Sequence, residues 1–163
     1  MKILVLSDSH GSMAFMRRCI FVLKPDHVIH LGDHIEDAKT LETENPHIRF
    51  HAVPGNCDTF RFYGREPEIL CYPIAGVKMF MTHGHRHGVK SDPSAVIAQA
   101  KAQGSAVVLY GHTHCAVCRQ EPEGLWIVNP GSCRDTATAA LIQVSDEKIS
   151  ACSIIGQTDI DGC

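Results

Sequence analysis

Short apolar segments recur along this chain, and most of them end directly in glycine or polar residues. The first, Ile3–Leu6, has the continuous apolar character of a strand that is covered on both faces of its sheet. Between it and the next such segment, His27–Leu31, the residues Met13–Leu23 place apolar side chains on one face of a helix that stops before Pro25. This order of strand, helix and strand predicts a βαβ arrangement in the first part of the chain.

Strands dominate the rest of the chain. They are predicted at residues 48–53, 69–71, 77–81, 106–110, 125–128, 139–144 and 149–154. One further helix is expected after Asp92, which can cap it, with Pro93 at its first position and Gly104 as its stop. The stretch Gln157–Cys163 is expected to be a loose tail. The sequence therefore predicts a layered α/β domain with mixed sheets, although it does not give the strand order.

Length and composition limit the class of protein. A chain of 163 residues, with 44% apolar and 20% charged residues, is sized for a single soluble domain over residues 1–163. The net charge is -3 and no dense cluster of lysine and arginine is present, so stable nucleic-acid binding is not expected. The first apolar run is too short for a signal peptide or a membrane span. The expected location is the cytoplasm, where the eight scattered cysteines would be reduced thiols.

Polar side chains follow five of the strands at the point where each strand ends. They lie in the segments Asp8–Gly11, Gly32–His34, Gly55–Asp58, His83–His85 and Gly111–His114. In α/β proteins, ligands bind at the carboxyl ends of strands, and alternate residues of an extended segment point the same way. We therefore expect Asp8 and His10 to act together, and likewise the paired histidines of the last two segments.

Each segment alone is weak evidence for a site, because Gly-Asp and Gly-Asn are ordinary turn pairs and Asp-x-His is common by chance. Turns account for aspartate, asparagine and glycine, but not for histidine in four of the five segments. The chain has 11 histidines, and neutral imidazole is the commonest metal ligand among side chains. The five segments together predict a metal site. Structural roles are the default for the other strand histidines, at positions 27, 30, 47 and 51.

In their order, the segments resemble the pattern of the calcineurin-like metallophosphoesterases: Asp-x-His, Gly-Asp, Gly-Asn, His, Gly-His-x-His. The resemblance is nearest to the small single-domain phosphodiesterases of bacteria and archaea, which share Gly-Asn-Cys-Asp at 55–58 and Asn-Pro-Gly-Ser at 129–132. It extends from Asp8 to Ser132 and so covers most of the chain. It implies an α/β fold, a two-sheet mixed β sandwich flanked by α-helices in four layers, αββα.

The resemblance also implies the ligands of two divalent metal ions: Asp8, His10, Asp33, Asn56, His83, His112 and His114. The first ion would be bound by Asp8, His10 and His114, the second by the asparagine and the other two histidines, and Asp33 would bridge both. Nitrogen and oxygen ligands suit Mn²⁺, Zn²⁺, Fe²⁺ or Ni²⁺ better than Ca²⁺, with Mg²⁺ also allowed. The family favours Mn²⁺. Water between two such ions readily loses a proton, and the resulting hydroxide is the expected nucleophile on a phosphate ester.

One position departs from the pattern of many phosphomonoesterases, which carry histidine after Gly-Asn where this chain has Cys57. A thiol is an uncharged, weak donor at neutral pH, so the usual acid is missing. In the family this variant goes with diester activity, and the expected enzyme is a metal-dependent phosphodiesterase. Asn56 and His85 are the expected catalytic residues, and Cys57 and His85 the expected substrate contacts. The alternative is that His85 does not contact the substrate and only packs or forms a hydrogen bond at the rim of the site.

Two other functions stay open: a phosphomonoesterase on the same site, and a non-catalytic scaffold like the retromer subunit that resembles this family but has lost part of its ligands. The presence of all seven ligands argues against the scaffold.

Cys115 and Cys118 have the spacing of a zinc or redox pair, but without a second pair they are interpreted as ordinary thiols. Arg134 is a weaker candidate for contact with an anionic substrate. The expected partner is a small phosphate ester, and the family suggests a homodimer or tetramer.

Overall fold

The computed structural model describes residues 1–58 and 66–162, which form ten strands, four α-helices and a short 3-10 helix at His85–His87. The strands and α-helices follow one another in this order: β1 (Lys2–Leu6), α1 (Met13–Leu23), β2 (His27–His30), α2 (Ile35–Glu44), β3 (Arg49–Ala52), β4 (Ile69–Ile74), β5 (Val77–Thr82), α3 (Ser94–Ala102), β6 (Val107–Tyr110), β7 (Val117–Gln120), β8 (Trp126–Asn129), β9 (Thr138–Ser145), β10 (Lys148–Gly156) and α4 (Gln157–Asp161).

The strands form two mixed sheets of five strands each. The first sheet has the order β10-β9-β1-β2-β3, in which β1, β2 and β3 are parallel and β9 and β10 are antiparallel to their neighbours. The second sheet has the order β4-β5-β6-β8-β7, with β5, β6 and β8 parallel and both edge strands antiparallel. Two parallel groups of three strands therefore lie in separate sheets, and each carries connecting loops at its carboxyl end.

Apolar side chains on alternate strand residues build three packed layers. Ile3 and Val5 face the second sheet, where they meet residues such as Met79 and Leu109 in a core between the sheets. The other two residues of the alternation, Leu4 and Leu6, point the opposite way and face α1, α2 and α4 on the outer side of the first sheet. On the outer side of the second sheet, α3 covers a third core. The mixed two-sheet sandwich flanked by helices is thus confirmed, and burial on both faces explains the continuous apolar run of β1.

The sequence prediction was incomplete at three elements. It included nine of the ten strands but missed β7, and it missed α2, in which only Ile35, Ala38 and Leu41 are buried. The expected loose tail was wrong for residues 157–161, which form α4, because Ile160 is buried in the core beneath α1. Residue 163 lies outside the described residues. None of the helices in residues 1–58 and 66–162 is long and apolar enough to span a bilayer.

The expected start of α3 was displaced by one residue. Pro93 is the N-cap rather than the first helical residue, and Asp92 accepts a hydrogen bond from the Ser94 N–H at 2.9 Å. Asp92 therefore does stabilise the start of the helix, but from the residue before the N-cap. The helix ends at Ala102, and Gly104 follows with a φ of 65°.

Candidate metal centre

The candidate metal centre lies where five parallel strands end. The loops after β1, β2 and β3 come from the first sheet and carry Asp8, Asp33 and Asn56, and those after β5 and β6 come from the second sheet and carry the four histidines at 83, 85, 112 and 114. The loops of the two sheets are joined directly, because the His112 N–H donates to Asp8 Oδ2 at 3.0 Å. The centre is therefore built across both sheets.

Asp33 occupies the middle of the centre and is 3% exposed. Its two carboxylate oxygens face different neighbours: Oδ1 lies 3.5 Å from His83 Nε2, and Oδ2 lies 3.6 Å from His10 Nε2. Burial by itself raises the pKa of the Asp33 carboxyl, but the His83 ring and the Cys57 N–H, which donates to Oδ1 at 2.8 Å, outweigh it and leave that pKa below its ordinary value. Asp33 is therefore a carboxylate whose two oxygens face two different groups of possible metal ligands.

The first group consists of Asp8, His10 and His114, whose ligand atoms all lie within 4.8 Å of one another. His114 Nδ1 lies 2.6 Å from Asp135 Oδ2, so in the neutral ring Nδ1 carries the hydrogen and Nε2 carries the lone pair. That lone pair faces Asp8 Oδ1 at 3.1 Å. Asp8 Oδ1 and His10 Nε2 are both buried and have no hydrogen-bond partner among the described residues. Buried polar atoms of this kind are costly unless water or a cation satisfies them, and a carboxylate oxygen beside an imidazole lone pair suits a cation.

The second group consists of Asn56, His83 and His112. His83 Nδ1 lies 2.7 Å from the Leu31 carbonyl, which can only accept, so in the neutral ring Nε2 again carries the lone pair. That nitrogen lies 3.1 Å from Asn56 Oδ1 and 3.2 Å from His112 Nδ1. Lone pairs of Asn56, His83 and Asp33 thus converge without a hydrogen between them, which fits a bound cation better than an empty polar cluster.

Two histidines of the centre, His112 and His10, favour the neutral form that binds metal. Burial, followed by the neighbouring His83, lowers the pKa of His112 to about 4. Burial, followed by the Arg134 guanidinium, also lowers the pKa of His10. Neutral imidazoles and charged carboxylates together are a donor set for a divalent ion of the Mn²⁺ to Zn²⁺ series.

The backbone reaches this arrangement through left-handed turns. Five of the proposed ligands have positive φ values: Asp8 (52°), His10 (43°), Asp33 (57°), His112 (67°) and His114 (58°). The expectation that extended segments would pair the ligands was therefore wrong in its reason. It was also wrong for the last loop, because His112 joins His83 whereas His114 joins Asp8. Positive φ values at non-glycine residues are strained and concentrate at functional sites.

Glycine is needed at two positions because of close approach rather than turning. A Cβ atom on Gly55 would overlap Asp33 Oδ1, and one on Gly111 would overlap the Ser7 hydroxyl, which donates to Asp8 Oδ2. Any larger residue at either position would displace a proposed ligand. These glycines thus set the spacing between neighbouring loops.

The two proposed substrate contacts lie beside the ligands. The Cys57 thiol is within 4.8 Å of the ligand atoms of His10 and Asp33, and partial desolvation, followed by Asp33, raises its pKa to about 11, so it stays uncharged. The His85 ring centroid is 5.4 Å from that of His83 and 6.2 Å from that of His112. Its Nδ1 is buried and has no hydrogen-bond partner within residues 1–58 and 66–162, and burial lowers its pKa. His85 is thus a neutral imidazole that borders the second group.

Three aspartates support the centre although the sequence analysis gave them no role. Asp37 Oδ2 accepts hydrogen bonds from the Gly11 N–H at 2.8 Å and the Ser9 hydroxyl at 2.7 Å. Asp58 accepts from three backbone N–H groups of the loops around Asp33, and Asp135 accepts from His114. Only Asp58, which belongs to the Gly-Asn-Cys-Asp segment, carried a signal. The weaker candidate Arg134 pairs with Asp135, with 2.6 Å between Arg134 Nε and Asp135 Oδ1.

Comparison with known proteins identifies the family. Residues 1–147 match the family described as the calcineurin-like phosphoesterase superfamily domain. The chain is 34% identical over 137 residues to the probable metallophosphoesterase YsnB of Bacillus subtilis, which covers 82% of this chain and 76% of that protein. It is 30% identical over 148 residues to Phosphodiesterase MJ0936 of Methanocaldococcus jannaschii. That match spans 82% of this chain and 84% of the relative.

A solved structure agrees at the level of the fold. A predicted phosphoesterase from Streptococcus pneumoniae superposes with a TM-score of 0.71 at 24% identity, over 96% of this chain and 97% of that one. The resemblance noted in the sequence is therefore confirmed, and this chain belongs to the calcineurin-like phosphoesterase superfamily.

Proposed function

We propose that this protein is a phosphodiesterase that works with two divalent metal ions, bound by the seven ligands of the candidate centre. Membership of the superfamily supports a metal-dependent hydrolase of phosphate esters. The observation that carries the two-ion proposal is the position of Asp33, whose Oδ1 faces His83 and whose Oδ2 faces His10. Each oxygen faces a separate group of potential metal ligands, and a carboxylate in this position could bridge two ions.

When bound, a pair of divalent ions lowers the pKa of water and neutralises charge on the phosphate, which is the chemistry that ester hydrolysis requires. The residues of the chain fix the donors before the substrate arrives. Leu31 and Asp135 hold His83 and His114 in the tautomer whose Nε2 lone pair would be free to bind an ion. The Cys57 N–H and the Asp58 carboxylate fix the loops on either side of Asp33. Little reorganisation is then needed at the moment of reaction.

A diester is the proposed substrate because of the group next to Asn56. A monoester dianion brings more negative charge, and its leaving group benefits from a cationic acid such as protonated histidine. Cys57, with its pKa raised to about 11, supplies neither positive charge nor a strong donor. The relative from Methanocaldococcus jannaschii is also named a phosphodiesterase. We propose Mn²⁺ as the metal, in keeping with the mixed nitrogen and oxygen donors.

The proposal is tested by assaying metal-stripped protein on an aryl phosphodiester and the matching monoester, before and after Mn²⁺ is added. We expect diester cleavage that depends on Mn²⁺, two bound ions per chain by elemental analysis, and a loss of at least about 100-fold in kcat/KM for Asp33→Asn. The control is Asp146→Asn, at an exposed residue with a φ of 49° that asparagine tolerates. Preferential monoester cleavage, or full activity of Asp33→Asn with both ions bound, would overturn it.

We propose that His85 contacts the substrate phosphate from beside the second group of ligands. The variant His85→Ala is expected to keep its metal content and lose about 100-fold in turnover. His87→Ala is the matched control, because His87 lies in the same short helix but bonds Gln99 at 2.7 Å. Unchanged turnover of His85→Ala would leave His85 with a packing role only.

A further inference from the structure

Two thiols that belong to neither group of proposed metal ligands meet between the two sheets. Cys118 lies in β7 and Cys152 in β10, which are the edge strands of the second and first sheets. Their sulfur atoms are 2.9 Å apart, and both residues carry free thiols. The contact joins residues 34 positions apart in the chain and in different sheets. Neither the motif analysis nor the proposed hydrolysis gives this pair a role.

Packing holds the two side chains toward each other. Both are half-buried and pack against the apolar core between the sheets, so neither sulfur is free to turn outward without leaving that core. A disulfide joins sulfur atoms about 2.05 Å apart. The two sulfurs therefore need to approach by only about 1 Å, within reach of small side-chain rotations.

In the sequence, Cys118 has the spacing of a redox pair with Cys115 three residues earlier, although both were interpreted as ordinary thiols. In the structure Cys115 is exposed, and the Cys118 sulfur contacts Cys152 instead. The spacing of a redox pair is thus present in the chain, but the fold directs one of its two thiols to another strand.

We propose that Cys118 and Cys152 form an oxidation site, which closes to a disulfide when the protein meets a small-molecule disulfide such as oxidised glutathione. One protein thiolate attacks a sulfur of the small disulfide, forming a mixed disulfide and releasing one small thiol. The second protein thiolate then attacks the bonded protein sulfur and releases the other small thiol. The protein pair loses two electrons and two protons, which the two released thiols carry.

Two properties of the product follow from its position. The bond would connect the edges of the two sheets and close a chain segment that contains β8 and β9, so the oxidised protein is expected to be more resistant to heat. The reaction is expected to be slow at neutral pH and faster as the pH rises. Burial, followed by the contact with Cys118, raises the pKa of the Cys152 thiol well above its usual range, and only the thiolate reacts.

The test is to incubate the whole protein with oxidised glutathione, then block free thiols and map the disulfides by mass spectrometry without reduction. We expect one peptide pair that links Cys118 to Cys152, and a melting temperature that rises by several degrees and returns on adding dithiothreitol. Cys115→Ser is the matched control and should form the same link, whereas Cys152→Ser should form none.

A link between Cys115 and Cys118, or stable glutathione adducts without a cross-link, would overturn the proposal. Mapping of the unaltered protein decides this even if a variant folds poorly. Metal content and hydrolysis do not enter the readout, so the result is independent of the proposed function.

Discussion

Asp135 is an example of a residue that orients a proposed ligand without being one itself. Its Oδ2 lies 2.6 Å from His114 Nδ1, and its Oδ1 lies 2.6 Å from Arg134 Nε. Arg134, followed by His114, lowers the pKa of the Asp135 carboxyl to about 2, so it is ionised at neutral pH. An ionised hydrogen-bond acceptor at Nδ1 fixes the His114 tautomer and leaves the Nε2 lone pair directed at Asp8, in the first group of proposed ligands.

We predict that Asp135→Asn lowers the affinity for Mn²⁺ by about 10-fold to 100-fold, because an amide no longer enforces this tautomer. The measurement is a competition titration of metal-stripped protein against a chromogenic chelator. Arg134→Gln is the control, since it removes the other partner of the same carboxylate and leaves the His114 contact in place. Equal losses in both variants would show that the ion pair, not the tautomer, matters.

The proposed ligands could be named from the sequence because each lies in a short segment after a strand. The neighbours that orient them could not. Asp135 reaches His114 only through the turn after β8, and nothing in its own surroundings marks it. The family resemblance implied that His112 and His114 belong to different groups, but the positive φ values that separate them, 67° and 58°, are not indicated by the sequence for histidine.

At the scale of elements, the start of α2 is held by one side chain. Asp58 Oδ1 accepts hydrogen bonds from the N–H groups of His34 and Ile35, both at 2.8 Å, and its Oδ2 accepts from the Gly55 N–H at 2.7 Å. A carboxylate at a helix N-terminus is stabilised by the free N–H groups and the helix dipole. Asp58 is 8% exposed, so water does not replace it easily.

We predict that Asp58→Ala destabilises the fold by about 2 kcal/mol and weakens Mn²⁺ binding, because the loop with Asp33 loses its anchor. Urea unfolding and the chelator titration measure the two effects. Asp92→Ala is the matched control: Asp92 accepts from the N–H of Ser94 at the start of α3 and belongs to neither group of proposed ligands. It should cost about 1 kcal/mol and leave metal affinity unchanged. If Asp58→Ala binds Mn²⁺ with normal affinity, Asp58 does not anchor the loop that carries Asp33.

The elements that were predicted are those with a strong burial pattern. The strands β1, β2 and β6 are buried at every residue or nearly so. The sequence shows β1 and β6 as continuous apolar runs, and β2 as two apolar residues between His27 and His30. By contrast, α2 buries few apolar side chains, and β7 is a half-exposed edge strand of four residues. α4 depends on the single anchor Ile160, whose pocket is formed by distant residues. Such elements owe their structure to tertiary contacts that local sequence does not reveal.

At the scale of the molecule, the two sheets are also joined at the edge opposite to the thiol pair. There His51 of β3 lies between His27 of β2 and Tyr72 of β4, with His51 Nε2 3.0 Å from His27 Nδ1 and His51 Nδ1 2.8 Å from the Tyr72 hydroxyl. Burial, followed by His27, lowers the pKa of His51 to about 4, and burial also lowers that of His27. This edge therefore requires neutral imidazoles.

The pH dependence follows from the sign of this shift. An unfolded histidine has a pKa of about 6.5, so at lower pH the unfolded chain binds more protons than the folded one. The contribution of His51 is present above about pH 6.5 and is lost as the pH falls toward 4. Allowing for partial solvent exposure, we predict a loss on the order of 1–2 kcal/mol.

The measurement is the free energy of unfolding of metal-stripped protein in urea at several pH values between 7 and 4. His51→Gln should flatten the dependence relative to the unaltered protein, whereas the exposed control His47→Gln should not. Other histidines contribute to both curves and cancel in the comparison. Parallel curves for all three proteins would contradict a role for His51.

The position of β1 in its sheet has a consequence for synthesis of the chain. β1 lies between β2 and β9, and the N-terminal ammonium bonds the Val144 carbonyl at 2.7 Å. During translation every proposed ligand, up to His114, is made before Thr138 begins β9. A nascent chain therefore carries the whole metal-binding set while one edge of β1 is still unpaired. Until β9 arrives, that edge is open to strands of other chains, which makes the ribosome-bound stage the one most exposed to aggregation.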